Sequence, residues 1–433
     1  MSTEPTGLPT RRSIRESTEP RLRATVLLRL RTFGLAPFLS VGSQSVGSLQ
    51  LVLLVWRAGA NAYTDTYFYS FAMGMLPIQI GIVGLLYPML LNRHRATRRV
   101  AERIGFLATA SSVVLVAGAS LWLIHNHRAA STVIVVALPS LANSLVQTRV
   151  WFLAVVAEAG GNPMWISGVA VPANLLAVFT LLVPWPHHLA VSAMVCALVL
   201  GNLILWIVML RRSIGRDVLV ELPAHSDGLT RAGGWFFSKA AVGYGGLAVL
   251  QSLAVLLPVS AVTILNIAVK VVGSVVATTV NAVMPRLVHQ GSDSAQPAMR
   301  FLKSILTVVV LITTIGTVAA ELIRGREAAF TVLAVGMWVA GSSASAVAQR
   351  GAFRFLPPSA SRLTLCVVPI VVAAAAASSR MPGFSLLALL CAYAAVDGFS
   401  GSLLLGALKQ RLLCAAVLCC MSIEAVLWIA SFR

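Results

Sequence analysis

Apolar runs close to the 20 or so residues that a helix needs to cross a hydrocarbon core recur along the chain, separated by short polar breaks. The first half carries them at 34–56, 64–91, 104–124, 130–157, 163–184 and 189–210. The second half carries them at 235–257, 260–285, 302–322, 328–348, 363–378, 384–408 and 412–431. Residues 1–31 break the pattern, being rich in Arg, Ser, Thr, Glu and Pro. No short apolar region with a small-residue cleavage site follows them, so they read as a polar cytoplasmic tail rather than a cleavable signal. The pattern predicts an all-α polytopic membrane protein.

Composition sharpens this reading. Of 433 residues, 58% are hydrophobic and 11% charged, and mean hydropathy is +0.86. A soluble domain carries about 25% charged residues, and so apolar a chain folded in water would expose aggregating patches. A soluble enzyme core, a secreted disulfide scaffold and a disordered chain are excluded. The six cysteines lie in apolar runs without C-x-x-C or Cys/His ligand spacing. They read as small hydrophobes, with no disulfide framework and no metal site.

Net charge is +19, with 33 Lys and Arg against 14 Asp and Glu. In a soluble protein that balance points to nucleic acid. Here the basic residues sort by side, as topology signals do. Assigning loops alternately, with the N-terminus inside, puts roughly 24 basic residues on the inner face and about 6 on the outer. Shifting the register by one helix destroys the asymmetry. The expectation is a cytoplasmic N-terminus in a bacterial cytoplasmic membrane, and no nucleic-acid partner.

The chain also matches itself. Asp65–Met73 (DTYFYSFAM) runs on to Tyr87–Leu91 (YPMLL), and Val262–Lys270 (VTILNIAVK) runs the same length to Met284–Val288 (MPRLV). Each is a long helix after a very short outer loop, ending in an apolar-Pro step where proline breaks the helix. The expected organisation is a basic tail (1–31), a six-helix lobe (32–210), a basic linker (211–234), a second six-helix lobe (235–410) and one extra C-terminal helix (411–433). Paired bundles with a site at their interface are a transporter pattern.

The same residues carry a family resemblance. Arg57–Phe71 (RAGANAYTDTYFYSF) resembles the first loop and second helix of the MurJ/MviN lipid II flippases, and Leu265–Lys270 (LNIAVK) with Val283–Leu287 (VMPRL) resembles their eighth helix. That family lies within the multidrug/oligosaccharidyl-lipid/polysaccharide exporter superfamily. The resemblance implies two six-helix lobes around a V-shaped central cavity. It is specific around 44–92 and 262–288 only. In the family, first-helix arginines bind the substrate's pyrophosphate; the matching positions here are Gln44 and Gln50, and a further second-helix arginine falls at Ile78. Only Lys270 keeps its charge, and Asp65 is kept at the mouth of the second helix. Gln offers hydrogen bonds but no charge, which points to a specialised relative with another cargo.

Charges at membrane depth are functional hypotheses by default. Lys270 lies roughly 15 Å into its helix at 1.5 Å per residue, either as an anion contact or paired with a neighbouring acid. Asp397 and Glu424 also reach mid-depth, as proton or ion coupling sites or as structural partners. Lys239 and Arg149 read as snorkelling residues near helix ends. Asp65 serves as a helix cap, a gate or both. The aromatic run Tyr63, Tyr67, Phe68, Tyr69 and Phe71 reads as an interfacial belt rather than a sugar-stacking platform. Small residues Ser43, Gly47, Gly74, Gly81 and Gly84 predict tight packing of helices one and two.

No catalytic residue set, nucleotide-hydrolysis motif or cofactor motif is present, so the chain is not read as an enzyme. The first functional expectation is a flippase or exporter of a lipid-linked saccharide or similar amphipathic anionic cargo. It would work by alternating access, with a cavity between helices one, two, seven and eight. Gln44, Gln50, Lys270 and Asp65 are its candidate binding residues. The alternatives are an ion-coupled drug or metabolite extruder, and a non-transporting scaffold whose basic tail recruits cytoplasmic enzymes or anionic lipid.

Overall fold

The computed structural model describes residues 38–91, 97–221, 231–277, 296–355 and 362–432. Each apolar run falls on a helix. The first half forms α1 (Phe38–Ala58), α2 (Ala62–Leu91), α3 (Arg98–His125), α4 (Ala130–Ala159), α5 (Met164–Leu182) and α6 (His187–Arg211). The second half forms α7 (Arg231–Ala254), α8 (Ala261–Val276), α9 (Gln296–Arg324), α10 (Arg326–Phe355), α11 (Leu363–Ser378), α12 (Leu386–Ala407) and α13 (Arg411–Ala430). Among the described residues, ten helices are long and apolar enough to cross a membrane, and α8 and α11 are shorter apolar helices. The chain is an all-α polytopic membrane protein. The tail 1–31, the Met284–Pro285 step of the self-match and part of the linker lie outside the described residues. Within the linker, Arg216–Glu221 forms a short helix.

Local chemistry sets several boundaries. Asn61 accepts from the backbone N–H of Tyr63 and Thr64, while Thr64 Oγ1 accepts from the Asn61 N–H at 2.8 Å. This reciprocal cap fixes the start of α2. Thr97 begins α3 in the same way, accepting from Val100 N–H. Pro77, inside α2, has no N–H to donate, and the helix widens to π geometry over Ile78–Leu86. Such bulges are a common way to absorb an interrupted ladder. Helix α5 breaks between Ser167 and Val171.

Packing gathers α2 to α6 around α4, and α9 to α13 around α10 and α12. In lipid the helices gain little from hydrophobic burial against one another, so close van der Waals fit must hold them. Helix α12 shows how. A Cβ added at Gly401 would lie 2.8 Å from the Ser345 backbone N on α10. The two backbones touch, and only glycine permits it.

The halves meet along α2, which packs on both α7 and α8. At the end where α2 and α8 begin, one apolar core spans both halves. It includes Met73, Leu123 and Val133 from the first, and Leu250, Leu265 and Leu389 from the second. Towards the other end of α2, a Cβ on Gly84 would reach within 2.4 Å of Ala240 Cβ on α7. The glycines expected to bind α1 to α2 thus serve other helices. Gly74 faces Ser144 and Val116, Gly81 faces Ala108 and Ile104, and Gly47 faces Lys270 and Asn174. A 3.6-residue repeat marks a small face but does not say what approaches it.

Candidate transport cavity and the seam beside it

A cavity of about 400 Å³ opens among α1, α2, α4, α5, α6 and α8. That is within the range of small-ligand sites. Lys270, Gln44 and Gln50 all line it. Their helices present them at turn spacing: Gln44, Gly47 and Gln50 on α1, and Asn266, Lys270 and Ser274 on α8. Helix α7 contributes none of the described lining residues, contrary to the expected set of helices one, two, seven and eight. Helices α4, α5 and α6 line the wall instead, because α7 turns towards α2 and α11.

Lys270 Nζ donates to Gln44 Oε1 at 3.3 Å, and no acid is among the described residues that line the cavity. The wall opposite is a carboxamide chain. Asn202 Nδ2 donates to Asn143 Oδ1 at 2.9 Å, and Asn143 Nδ2 donates to Gln147 Oε1 at 3.0 Å. Asn174 and Asn266 complete the polar lining, and Val169 and Ala170 at the break in α5 face the same space. Irregular backbone at membrane depth is tolerated where it borders such a cavity. Gln50, 7% exposed, donates to Met194 Sδ at 3.4 Å.

Sequence reasoning missed Asn143, Gln147, Asn174, Asn202 and Asn266. The available signal was amides at i,i+4 on apolar helices, as in Asn143 and Gln147, which share a face. It also misplaced the aromatics. Tyr67, Phe68 and Phe71 line the cavity with Trp151, and Tyr69 is buried in the core, its hydroxyl 2.8 Å from Ser252 Oγ. An interfacial belt would face headgroups; these face inward. Ile78, the position of a family arginine, is 1% exposed within the apolar core of the first half.

Asp65 lies beside this cavity, fully buried. Although it sits in the first turn of α2, it caps a different helix. Its carboxylate accepts from Ser260 N–H at 2.8 Å, Thr263 N–H at 2.9 Å and Thr263 Oγ1 at 2.6 Å. Ser260 is left-handed, with φ of 90°, and offers α8 no side-chain cap of its own. The free N–H groups at a helix start attract an anion, and here the other half of the molecule supplies it. Arg128, between α3 and α4, stands 3.6 Å from the same carboxylate and donates to Leu257 O at 3.4 Å. The seam is polar, buried and charge-compensated.

The remaining acids lie away from the cavity lining. Asp397 on α12 accepts from Trp338 Nε1 at 2.9 Å and from Ser342 Oγ, both on α10. Glu424 on α13 is 2% exposed, and neither carboxyl oxygen has a hydrogen-bond partner among the described residues.

No protein-family model matches the chain, and no curated relative matches it by sequence. Solved structures do resemble it. The lipid II flippase MurJ in its inward closed conformation aligns with TM-score 0.60 at 10% identity, over 94% of this chain and 93% of that one. A chain described as protein A aligns with TM-score 0.56 at 13% identity, over 88% and 95%. The Vibrio cholerae MATE transporter VcmN in its bent form aligns with TM-score 0.44 at 12% identity, over 94% and 100%. At these identities the likeness is one of fold.

Proposed function

We propose that the protein is a flippase or exporter that carries a lipid-linked saccharide, or a similar amphipathic anionic molecule, across a bacterial cytoplasmic membrane by alternating access. One observation carries the reading: Lys270, the only cation among the described lining residues, stands among carboxamides and aromatic rings in a cavity at the junction of the two halves. Amides donate to and accept from hydroxyls, aromatic faces take sugar rings, and the lysine meets an acidic group. The MurJ-like fold supports the same reading.

The two halves act as lobes. The Asp65 seam, facing outward by the distribution of basic residues, is closed in this conformation and must part for release. Lipid tails stay in the bilayer while the headgroup occupies the cavity. Asp397 and Glu424 are the coupling candidates of the second lobe, and the basic tail 1–31 holds the inner face to anionic lipid. A drug extruder is disfavoured by Lys270, which repels cationic drugs. The test is reconstitution in liposomes with a fluorescent polyprenyl-phosphate-linked sugar. Movement between leaflets, abolished by Lys270→Glu, is expected. No movement under any ion gradient or membrane potential overturns the reading.

A further inference from the structure

The cavity offers an anionic group two donors from different helices, a seat beside Gly47 of α1. A Cβ built on Gly47 would stand 3.1 Å from Asn174 Nδ2 on α5 and 3.2 Å from Lys270 Nζ on α8. Without a side chain there, both nitrogens come close to the same face of α1, and any larger residue would press on them. Lys270 is the only charged side chain among the described lining residues; the other strongly polar ones are seven carboxamides. Part of their hydrogen-bonding capacity is already used within the wall, as in the Asn202–Asn143–Gln147 chain.

We infer that the cavity selects a headgroup bearing one negative charge, a sugar joined to its lipid through a single phosphate, with the phosphate held by Lys270 and Asn174 beside Gly47. This rests on the proposed transport of a lipid-linked saccharide and narrows its class. One phosphodiester charge is matched by one ammonium group. A pyrophosphate brings a second charge that finds no second cation among the described lining residues and must exchange water for neutral amide donors, which bind anions less strongly than charged ones. A neutral glycolipid leaves Lys270 desolvated against an uncharged ligand. The sugar itself meets the carboxamides and the faces of Phe68, Phe71 and Trp151.

The test uses the full chain in liposomes with three fluorescent lipids sharing one sugar and one polyprenyl tail: monophosphate-linked, pyrophosphate-linked and uncharged. The monophosphate lipid is expected to cross at least tenfold faster than either other. Gly47→Ala, which suits a helix and presses on both Asn174 Nδ2 and the flexible end of Lys270, is expected to slow the monophosphate lipid at least fivefold and the uncharged one by much less. Pyrophosphate or uncharged lipid crossing as fast as monophosphate would overturn the inference while the flippase reading stands. An unaffected Gly47→Ala would overturn the seat. If none of the three lipids crosses, the inference falls together with the reading beneath it. A soluble sugar phosphate entering the liposomes at the rate of the lipid would show that the phosphate need not be lipid-borne, and would overturn the lipid class.

Discussion

Among its polar contacts with the first half of the molecule, helix α8 makes two that involve a charged side chain, of opposite sign and opposite character. At its start, Asp65 is saturated: three hydrogen bonds of 2.6 to 2.9 Å and a guanidinium at 3.6 Å account for both carboxylate oxygens. About two turns further on, Lys270 has three N–H donors and gives one to Gln44 at 3.3 Å, with no acid among the described residues of the cavity around it. A polar group whose valences are met by protein holds protein together. One whose valences are left open, beside a void of about 400 Å³, is placed to meet something that arrives. On the proposed reading, the same helix carries a closure at one level and a receptor at the next.

The largest effect is expected from breaking the closure. Asp65→Ala leaves Arg128 buried without its acid and the Ser260 and Thr263 N–H groups without an acceptor. Removing one member of a buried charge pair costs about 3–5 kcal/mol. The variant should lose transport and unfold at a clearly lower temperature in detergent. Asp65→Asn, which keeps one acceptor oxygen, should lose less. A variant Asp65→Ala as thermally stable as the parent would refute the closure.

The receptor should respond in the opposite way. Lys270 is in no ion pair among the described residues, so Lys270→Ala should lose transport with little change in thermal stability. Lys270→Glu should be worst, since a negative charge repels an anionic cargo strongly at low dielectric. Lys270→Arg should keep much of the activity. Complementation together with expression level separates these outcomes, and full activity of well-expressed Lys270→Glu removes the anionic cargo. A third substitution tests the junction without either charge. Gly84→Val forces methyl groups into Ala240 on α7, and overpacking of this kind costs about 1–3 kcal/mol. Thermal stability should fall while the ranking of cargoes stays as it was.

The helices were readable because lipid makes composition decide: a run of about 20 apolar residues has no alternative to a helix. Lys270 was readable for the same reason, as a charge where charge is costly. Asn143 and Asn202 were not, since a neutral amide barely dents an apolar run. The partner of Asp65 was not readable either. Capping is normally local, and here α2 is capped by Asn61 while α8 borrows its cap from a residue 195 positions away. The aromatics of α2 misled because an amphipathic ring near a helix end suits headgroups and cavities equally. Distinguishing the two requires knowing which neighbour the helix turns towards, and that is decided by contacts such as Gly84 on Ala240 rather than by α2 itself.

The smallest change, and the one that sharpens the comparison most, adds charge to the receptor. Gln44 is half-buried and its oxygen already holds Lys270, so Gln44→Arg sets a second cation beside the first. The empty protein should lose a little stability, because the two charges repel and Lys270 loses its acceptor. Gln50 is more deeply buried and engaged with Met194, so Gln50→Arg desolvates a guanidinium with less access to the cavity and should be tolerated less well. With a pyrophosphate-linked lipid present, the order reverses for Gln44→Arg. The second phosphate now has its own cation, and bidentate contact from guanidinium adds to it. The ratio of pyrophosphate to monophosphate transport should rise severalfold in Gln44→Arg, measured side by side in liposomes of one composition. Asp65→Asn, altered at the saturated contact, should lower both rates and leave that ratio untouched. If the ratio moves in Asp65→Asn and stays fixed in Gln44→Arg, the division between closure and receptor along α8 is wrong.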